Sequence, residues 1–274
     1  MHHIGVLVNW EGDFRAKFRQ LRELELDCCQ ICCGKADGYT DEKAKEIQEA
    51  VAETGVVVTA LWAGWGGPRE WNITRGPQTL GLVPAEYRAS RLQDLKNASD
   101  FAVKIGVSDI ITHVGFLPEV PCDPTFDEVV KTLQELCDYI EPRGQYFLFE
   151  TGQETPMTLL RTIERIGHKN VGVNFDTANL IIYGKANSVD ALELLGPYVR
   201  NLHIKDADFP VDGMTLGKQR PLGEGRANIP ACMKKLEEVG YRGPWIMERE
   251  ISGEQQIKDI CAGRDMLREI EKTL

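Results

Sequence analysis

Four residues with acidic or imidazole side chains stand at or near the ends of four successive apolar segments. In chain order they are Glu150, Asp176, His203 and Glu248, in the contexts YFLFE, VGVNFD, NLHIKD and PWIME. Three carboxylates and one imidazole form a mixed oxygen and nitrogen donor set that suits Mn²⁺, Mg²⁺ or Co²⁺, and Zn²⁺ less specifically. The sequence therefore predicts a site for one divalent metal ion.

A structural role is the alternative for each of these residues taken alone. A single acid at a strand end is more often a cap or an ion-pair partner, and a single histidine is more often a hydrogen-bonded polar residue. The joint pattern favours a metal site, because a charge beside a buried apolar run is costly without a partner or a metal. The spacings of 26 and 27 residues also match one strand–helix unit each, and the third spacing of 45 adds a long loop.

Further polar residues near the same segment ends are candidates for substrate contact. His113 ends the segment IITH, and substrate contact is favoured there over metal ligation or a polar core position. Lys205 and Asp206 directly follow the histidine of NLHIKD, so that one of them either holds the imidazole or reaches the substrate. Glu154 is a further candidate because it lies four residues after the acid of YFLFE.

Aromatic residues and long loops fall at the same ends of the segments. Rings of Trp10 and Trp62 could stack on the apolar face of a sugar, although buried packing explains Trp62 equally well. Two long loops, 64–83 and 207–228, follow the third and seventh segments. Within the second loop, 217–225 is either a mobile cover or a tight surface connection, and the sequence favours neither.

The elements that must position these residues are short apolar segments followed by longer amphipathic ones. The apolar segments are mostly continuous rather than alternating, which is typical of parallel strands that are covered on both faces. Eight such strands are predicted: 4–8, 26–31, 56–61, 109–113, 146–150, 171–176, 201–205 and 245–248.

Helices are predicted between and after the strands. Their ranges are 13–23, 41–53, 84–105, 124–140, 156–166, 188–195, 229–239 and 254–271. Eight strand–helix units predict an α/β fold, a single (β/α)8 TIM barrel domain over residues 1–274. An open doubly wound sheet is the rival, but NWEGDF after the first strand is not a glycine-rich phosphate loop. In a barrel all four candidate ligands converge at the carboxyl ends of the strands.

Composition restricts the function classes. The net charge is −10 and no long basic run occurs, which disfavours nucleic acid and anionic membranes as partners. No segment resembles a secretory signal or reaches transmembrane length, so we expect a cytoplasmic protein. Four of the eight cysteines cluster at 28, 29, 32 and 33. We interpret them as buried, reduced core residues, because no second CxxC pair completes a thiolate site.

Several motifs give the chain a family resemblance. FLFETG, VNFDTANL, NLHIKD, PLGEG and IMERE resemble the xylose isomerase-like barrel superfamily, in its sugar phosphate isomerase/epimerase branch. Together with the eight units they cover nearly the whole chain. The resemblance is specific for the superfamily and the metal site. It is weak for the substrate, because the superfamily includes isomerases, epimerases, dehydratases and lyases.

The resemblance to ketose 3-epimerases implies roles for the four ligands. They would hold one divalent ion, usually Mn²⁺, with Glu150 and Glu248 facing each other across a ketose or keto-sugar. The ion would stabilise an enediolate, while one glutamate removes the proton α to the carbonyl and the other returns a proton to the opposite face. Barrels of this branch are often dimers or tetramers, which makes a homo-oligomer an expectation.

The chain departs from the ketose 3-epimerases at three positions. Asn179 stands where they often have histidine, Phe209 where they often have arginine, and Pro156 where they have a second substrate-binding glutamate. The metal site therefore carries over while free-ketose specificity does not. Keto-glycosides, inososes and hydroxypyruvate-like substrates remain open, with Asn179 as a candidate for substrate contact.

Four functions are considered for this sequence, of which two are favoured and two are disfavoured. The first is an isomerase or epimerase, and the second is a metal-dependent lyase or dehydratase on a keto-sugar, keto-glycoside or inosose. A sugar-binding barrel without turnover is disfavoured, since a binder needs no pair of opposed acid/base groups. An AP endonuclease is disfavoured because Asn179 replaces an expected histidine of a three-zinc cluster, and because the chain is acidic.

Overall fold

Eight parallel strands form the central wall of the fold. The computed structural model describes residues 2–274. The strands of the wall are β1 (Ile4–Asn9), β2 (Cys28–Cys33), β3 (Val57–Ala63), β4 (Asp109–Thr112), β5 (Tyr146–Glu150), β6 (Val171–Asp176), β7 (Val199–His203) and β10 (Trp245–Met247). Two further strands, β8 (Asp206–Ala207) and β9 (Gln219–Arg220), form a separate antiparallel pair.

The wall is a nearly closed barrel. From β1 to β7 each strand pairs in parallel with the next one along the chain, and β10 pairs with β1. Ile204 joins the remaining gap between β7 and β10 by a parallel bridge to Met247. Its N–H donates to the carbonyl of Ile246 at 2.7 Å, and its own carbonyl accepts from the N–H of Glu248 at 3.1 Å. The predicted (β/α)8 TIM barrel is therefore confirmed, and the open sheet is excluded.

Helices surround this wall. They are α1 (Phe14–Glu23), α2 (Asp41–Thr54), α3 (Gly76–Thr79), α4 (Ala85–Lys104), α5 (Pro124–Ile140), α6 (Pro156–Ile166), α7 (Asn179–Ile182), α8 (Ser188–Leu195), α9 (Ile229–Glu238) and α10 (Glu254–Glu271). The short helices α3 and α7 lie in the loops after β3 and β6 and were not predicted. Each has only four residues, too few to show a helical period.

Local sequence signals explain where several helices begin and end. The side chains of Thr40 and Asp123 accept backbone N–H groups in the first turns of α2 and α5. Gly55 and Gly167 then end α2 and α6 with φ of 69° and 70°. Because L side chains rarely adopt this left-handed conformation, glycine gives a sharp helix end there.

Two strands are displaced by two residues from the prediction, and β3 ends two residues later than predicted. The second strand was predicted at 26–31 and lies at Cys28–Cys33, because the N–H of Leu26 donates to Leu21 in the turn after α1. The seventh was predicted at 201–205 and lies at Val199–His203. Its pairing with β6 shifts by one residue between Val173 and Asn174, which leaves Arg200 without a partner residue on β6. Strand β2 therefore ends two residues later than predicted, and β7 ends two residues earlier.

The cysteine cluster on β2 is reduced, and its side chains are not all buried. All eight cysteines have free thiols. Cys28, Cys29 and Cys33 are buried as predicted, whereas Cys32 is partly exposed and lines the cavity at the carboxyl ends of the strands. The expectation that all four are core residues is therefore wrong for Cys32. Within residues 2–274 no helix is long and apolar enough to cross a membrane.

Candidate metal centre and substrate cavity

Four consecutive strands of the wall bring the predicted ligands together. Glu150, Asp176 and His203 are the last residues of β5, β6 and β7, and Glu248 directly follows β10. One donor atom from each lies within 4.8 Å of the other three, and three of the four residues are fully buried. Parallel strands present their carboxyl ends at one mouth of the barrel, which explains how residues up to 98 positions apart converge.

The imidazole of His203 lies at the centre of this group. Its Nδ1 atom is 2.8 Å from Oε1 of Glu150 and 3.1 Å from Oε2 of Glu248, and 3.9 Å from Oδ2 of Asp176. Its Nε2 atom is 2.7 Å from Oε1 of Gln30 on β2. One ring nitrogen therefore faces the carboxylates, and the other is held by an uncharged amide.

Gln30 is itself held in one orientation inside the barrel. Its Nε2 donates to Oδ1 of Asn174 at 3.1 Å and to Oδ1 of Asn201 at 2.9 Å, so that its oxygen is left to accept from His203. A neutral imidazole thus carries its proton on Nε2 and presents the lone pair of Nδ1 to the carboxylates. Gln30 was not predicted, although a glutamine in the middle of an otherwise apolar strand is a usable signal.

Two carboxylate oxygens in the group have no conventional partner. Oδ1 of Asp176 accepts the N–H groups of Ala178 and Asn179, each at 2.7 Å. Oδ2 of Asp176 and Oε2 of Glu248 are buried and make no hydrogen bond of normal geometry with the described residues. Buried acceptors are nearly always satisfied, so unpartnered oxygens that point into one space fit a cation.

Burial and contacts with neighbouring charges shift the pKa values of His203 and Asp176. Burial lowers the pKa of His203, but Glu150 and Glu248 outweigh it and raise that pKa well above its usual value. Burial raises the pKa of Asp176 well above its usual value, and Lys205 offsets this only in part. Without a cation the group therefore retains protons that a divalent ion would displace.

The donor set fits a single divalent ion. Three carboxylates and one imidazole provide one ligand atom each, and two of the carboxylate oxygens make no hydrogen bond of normal geometry. Among residues 2–274 this is the one group of at least three histidine, cysteine, aspartate or glutamate side chains with such geometry. Hard oxygen donors with one nitrogen are typical of Mn²⁺ and Mg²⁺ sites.

A cavity of about 520 Å³ opens directly above this group. Glu150 and Glu248 line this cavity, and the neighbouring rings of Trp62 and Trp71 form part of its apolar wall. Polar side chains occupy other positions around it. This combination of apolar walls and a few convergent polar groups is typical of a small-molecule site.

Four of the predicted substrate residues line the cavity: His113, Trp62, Asn179 and Lys205. Nε2 of His113 lies 3.3 Å from Oε2 of Glu150, and its Nδ1 has no partner among the described residues. The indole N–H of Trp62 donates to the same Oε2. Trp62 therefore packs in the wall and orients Glu150, and stacking of its ring on a sugar stays a prediction.

The other two predicted substrate residues lie outside the cavity. The ring of Trp10 packs edge-on against Phe14, Tyr39 and Phe101, which turn it towards the helical layer. Glu154 is a buried residue of the loop after β5, where its carboxylate accepts the N–H of Gly152 at 3.3 Å. Burial raises the pKa of Glu154 to about 7. Contrary to the prediction, neither side chain lines the cavity.

Lys205 is held by carboxylates at the side of the cavity. Its Nζ atom lies 2.6 Å from Glu250, 3.6 Å from Glu248 and 4.0 Å from Asp176. Burial lowers the pKa of Lys205, but these carboxylates outweigh it and raise that pKa well above its usual value. Glu250 was not predicted. Its position two residues after Glu248 is the signal, because alternate residues of an extended segment face the same side.

The loop after β7 is held in place by hydrogen bonds to the Asp206 carboxylate. The carboxylate of Asp206 accepts the N–H groups of Gly223 and Gly225 at 3.0 Å and of Ala227 at 2.9 Å. A Cβ atom at Gly225 would lie 2.3 Å from Oδ1 of Asp206, so only glycine permits this approach. These contacts favour a tight connection over a mobile cover for this part of 217–225. They also give Asp206 a structural role rather than a place beside His203.

Comparison with known proteins found relatives both in sequence and in structure. A protein of Methanocaldococcus jannaschii is 24% identical over 193 residues, which are 66% of this chain and 62% of that relative, so the match spans less than two thirds of the relative. The crystal structure of a xylose isomerase domain protein from Planctomyces limnophilus has 35% sequence identity and a TM-score of 0.92. It covers 99% of this chain and 98% of its own.

Two solved epimerases share the fold at lower identity. The 3-keto-D-glucoside 4-epimerase of E. coli is similar over 98% of this chain and 100% of its own, with 18% identity and a TM-score of 0.75. A D-psicose 3-epimerase from Clostridium cellulolyticum H10, solved with D-tagatose, is similar over 98% of this chain and 99% of its own, with 18% identity and a TM-score of 0.73.

A family model described as the xylose isomerase-like TIM barrel matches residues 18–270, which is most of the chain. This match agrees with the eight parallel strands and with the identity to the protein from Planctomyces limnophilus. The chain belongs to the xylose isomerase-like TIM barrel family.

Proposed function

We propose that this chain is a divalent-metal-dependent sugar isomerase or epimerase that acts on a ketose or keto-sugar. The observation that carries the proposal is the position of Glu150 and Glu248, which both line one cavity and both contact Nδ1 of His203, at 2.8 and 3.1 Å. The E. coli and Clostridium epimerases with the same fold support the reaction class.

Glu150, Asp176, His203 and Glu248 would hold the ion, for which Mn²⁺ is favoured and Mg²⁺, Co²⁺ and Zn²⁺ are alternatives. The bound ion would supply Lewis acidity that polarises the carbonyl of the substrate and so acidifies the neighbouring C–H bond. The oxygens Oδ2 of Asp176 and Oε2 of Glu248 support this assignment, because they are buried without a hydrogen bond of normal geometry and Lys205 lies no closer to them than 3.6 Å.

The two glutamates would carry the proton transfers. One carboxylate takes the proton from the carbon α to the carbonyl, and the other carboxyl returns a proton, so that no oxidant or reductant is consumed. Burial raises the pKa of Glu248, but Lys205 and His203 outweigh it and hold that pKa well below its usual value. Glu248 is therefore ionised at neutral pH, as a base must be.

The remaining residues of the wall would orient the sugar. His113, Asn179 and Lys205 offer polar contacts, and Trp62 offers an apolar face. Glu154 and Trp10 have no part in this proposal, since their side chains lie elsewhere. One domain over residues 1–274, a cytoplasmic location and assembly as a dimer or tetramer stay predictions.

Exchange of the α proton with D₂O tests this function. Purified protein loaded with Mn²⁺ is incubated with a panel of ketoses and keto-glucosides, and deuterium incorporation is followed by NMR. We expect Glu150→Gln and Glu248→Gln each to reduce exchange by about 10²- to 10⁴-fold. The exposed Glu224→Gln serves as the matched control.

Metal content and product mass distinguish the possible results of this test. Metal analysis should find about one ion per chain in the wild type and a loss in His203→Ala. A product of unchanged mass supports isomerisation, whereas loss of water or of an aglycone assigns the same site to a lyase. Wild-type exchange rates in either glutamine variant would contradict the mechanism.

A further inference from the structure

The cavity wall contains a buried amide that is incompletely hydrogen-bonded. Gln153, in the loop after β5, lines the cavity and is only 1% exposed. Neither its Oε1 nor its Nε2 atom makes a hydrogen bond of normal geometry within the described 2–274. Tyr183 is its polar neighbour: burial raises the pKa of that phenol, and the Gln153 amide partly opposes the rise.

An amide in this position is suited to a ligand hydroxyl. Leaving a buried amide incompletely hydrogen-bonded costs free energy, and a ligand that completes its hydrogen bonds recovers that cost. A primary amide offers N–H donors and a carbonyl acceptor. A sugar hydroxyl can accept a hydrogen bond from the N–H group or donate one to the carbonyl oxygen. Gln153 and Asn179 lie in the same cavity as the carboxylate group, so a sugar bound there would bring its hydroxyls to them.

The charges around the cavity disfavour an anionic substrate. Lys205 is the one lysine or arginine among the described residues that line it. That ammonium is already paired with Glu250 at 2.6 Å and lies 3.6 Å from Glu248. Glu150 and Glu248 would be bound to the ion, so a phosphate or carboxylate elsewhere on the substrate would find no free cationic side chain and would face the carboxylate of Glu250.

We propose that Gln153 binds a hydroxyl group of an uncharged keto-sugar, and that the Lys205–Glu250 pair excludes phosphorylated sugars from the same cavity. The proposal rests on the proposed function for the class of ligand. It adds a specificity residue that lies outside the metal ligands, and it chooses free sugars or glycosides over sugar phosphates.

Binding to the Mn²⁺-loaded protein tests both parts. The probes are D-tagatose, D-psicose, D-fructose and methyl 3-keto-D-glucoside, together with D-tagatose 6-phosphate and D-fructose 6-phosphate, each measured by calorimetry. We expect the phosphates to bind at least about tenfold more weakly than the corresponding free ketoses. Gln153→Met should raise Kd for the uncharged probes about five- to tenfold. The exposed Gln20→Met should leave it unchanged.

A second variant tests the pair independently of Gln153. Glu250→Gln removes the nearest of the three carboxylates around the ammonium of Lys205, so the affinity for the two phosphates should increase relative to the free ketoses. Binding of no uncharged probe, tighter binding of the phosphates by the wild type, or an unchanged Kd in Gln153→Met would each overturn the proposal. Binding that depends on Gln153 but brings no α-proton exchange would contradict the proposed isomerisation alone.

Discussion

Nε2 of His203 lies 2.7 Å from Oε1 of Gln30, and this contact joins the candidate metal ligand to the middle of β2. Because the Gln30 amide nitrogen is occupied by two asparagine oxygens, the glutamine oxygen can only accept from the ring. The contact therefore selects the imidazole tautomer whose Nδ1 is free to bind a cation.

Replacing this glutamine should weaken metal binding. We expect Gln30→Met to raise Kd for Mn²⁺ about 10- to 100-fold, because the imidazole loses the partner that fixes its tautomer and orientation. The matched control is Gln145→Met, a buried glutamine bonded to Ser99 at the other end of β5, which should lower stability without changing Kd. Equal Kd values for wild type and Gln30→Met would contradict the assignment.

Metal affinity should increase with pH. Burial lowers the pKa of His203, but Glu150 and Glu248 outweigh it and raise that pKa well above 6.5, so the metal-free site retains a proton that the ion must displace. Binding should therefore tighten between about pH 6 and about pH 8 and release protons. Calorimetry in buffers of different ionisation enthalpy measures that release. A Kd that does not vary with pH would show that no proton is displaced.

The buried ammonium of Lys205 should contribute strongly to stability. Lys205→Met leaves Asp176 and Glu248 buried without their cation, and we expect the free energy of unfolding to fall by about 3–5 kcal/mol. Glu250→Gln should cost less than about 1 kcal/mol, because the Glu250 side chain is 59% exposed. Urea unfolding in the presence of a chelator compares the two variants. Similar small losses would mean that water already compensates the buried carboxylates.

Glu154 should make stability fall as pH rises. Burial raises its pKa from 4.5 to about 7, so the folded state holds the proton more tightly than the unfolded chain. The contribution is fully present below about pH 4.5 and is lost as pH rises through about 7, by about 3 kcal/mol in total. Glu154→Gln should remove this slope in the free energy of unfolding. Parallel profiles for the two proteins would place the titration elsewhere.

Asp206 should control the order of the loop after β7. Asp206→Ala removes the acceptor of three loop N–H groups, and we expect a loss of about 2–5 kcal/mol. Amide exchange in 223–227 should accelerate, whereas Asp208→Ala, which loses only a surface pair with Arg220, should leave it unchanged. Unchanged protection in Asp206→Ala would mean that the β8–β9 pair alone holds the loop.

The elements were predictable from local sequence. Parallel strands buried on both faces read as continuous apolar runs, and β5 and β6 lie at the predicted residues. Helices α5 and α6 also match, because Pro124 and Pro156 each stand at the first helical position after a capping residue. Strand β2 was displaced by two residues, since tertiary pairing rather than hydrophobicity sets where it begins.

The sequence alone determined the barrel and the meeting of Glu150, Asp176, His203 and Glu248, because parallel strands place their ends at one mouth. Only the tertiary structure decided which other side chains face that mouth. Gln30 reaches His203 across 173 positions, and Gln153 lines the cavity while its neighbour Glu154 does not. Such pairings depend on the direction of each side chain and on contacts between distant segments, neither of which residue type or local spacing encodes.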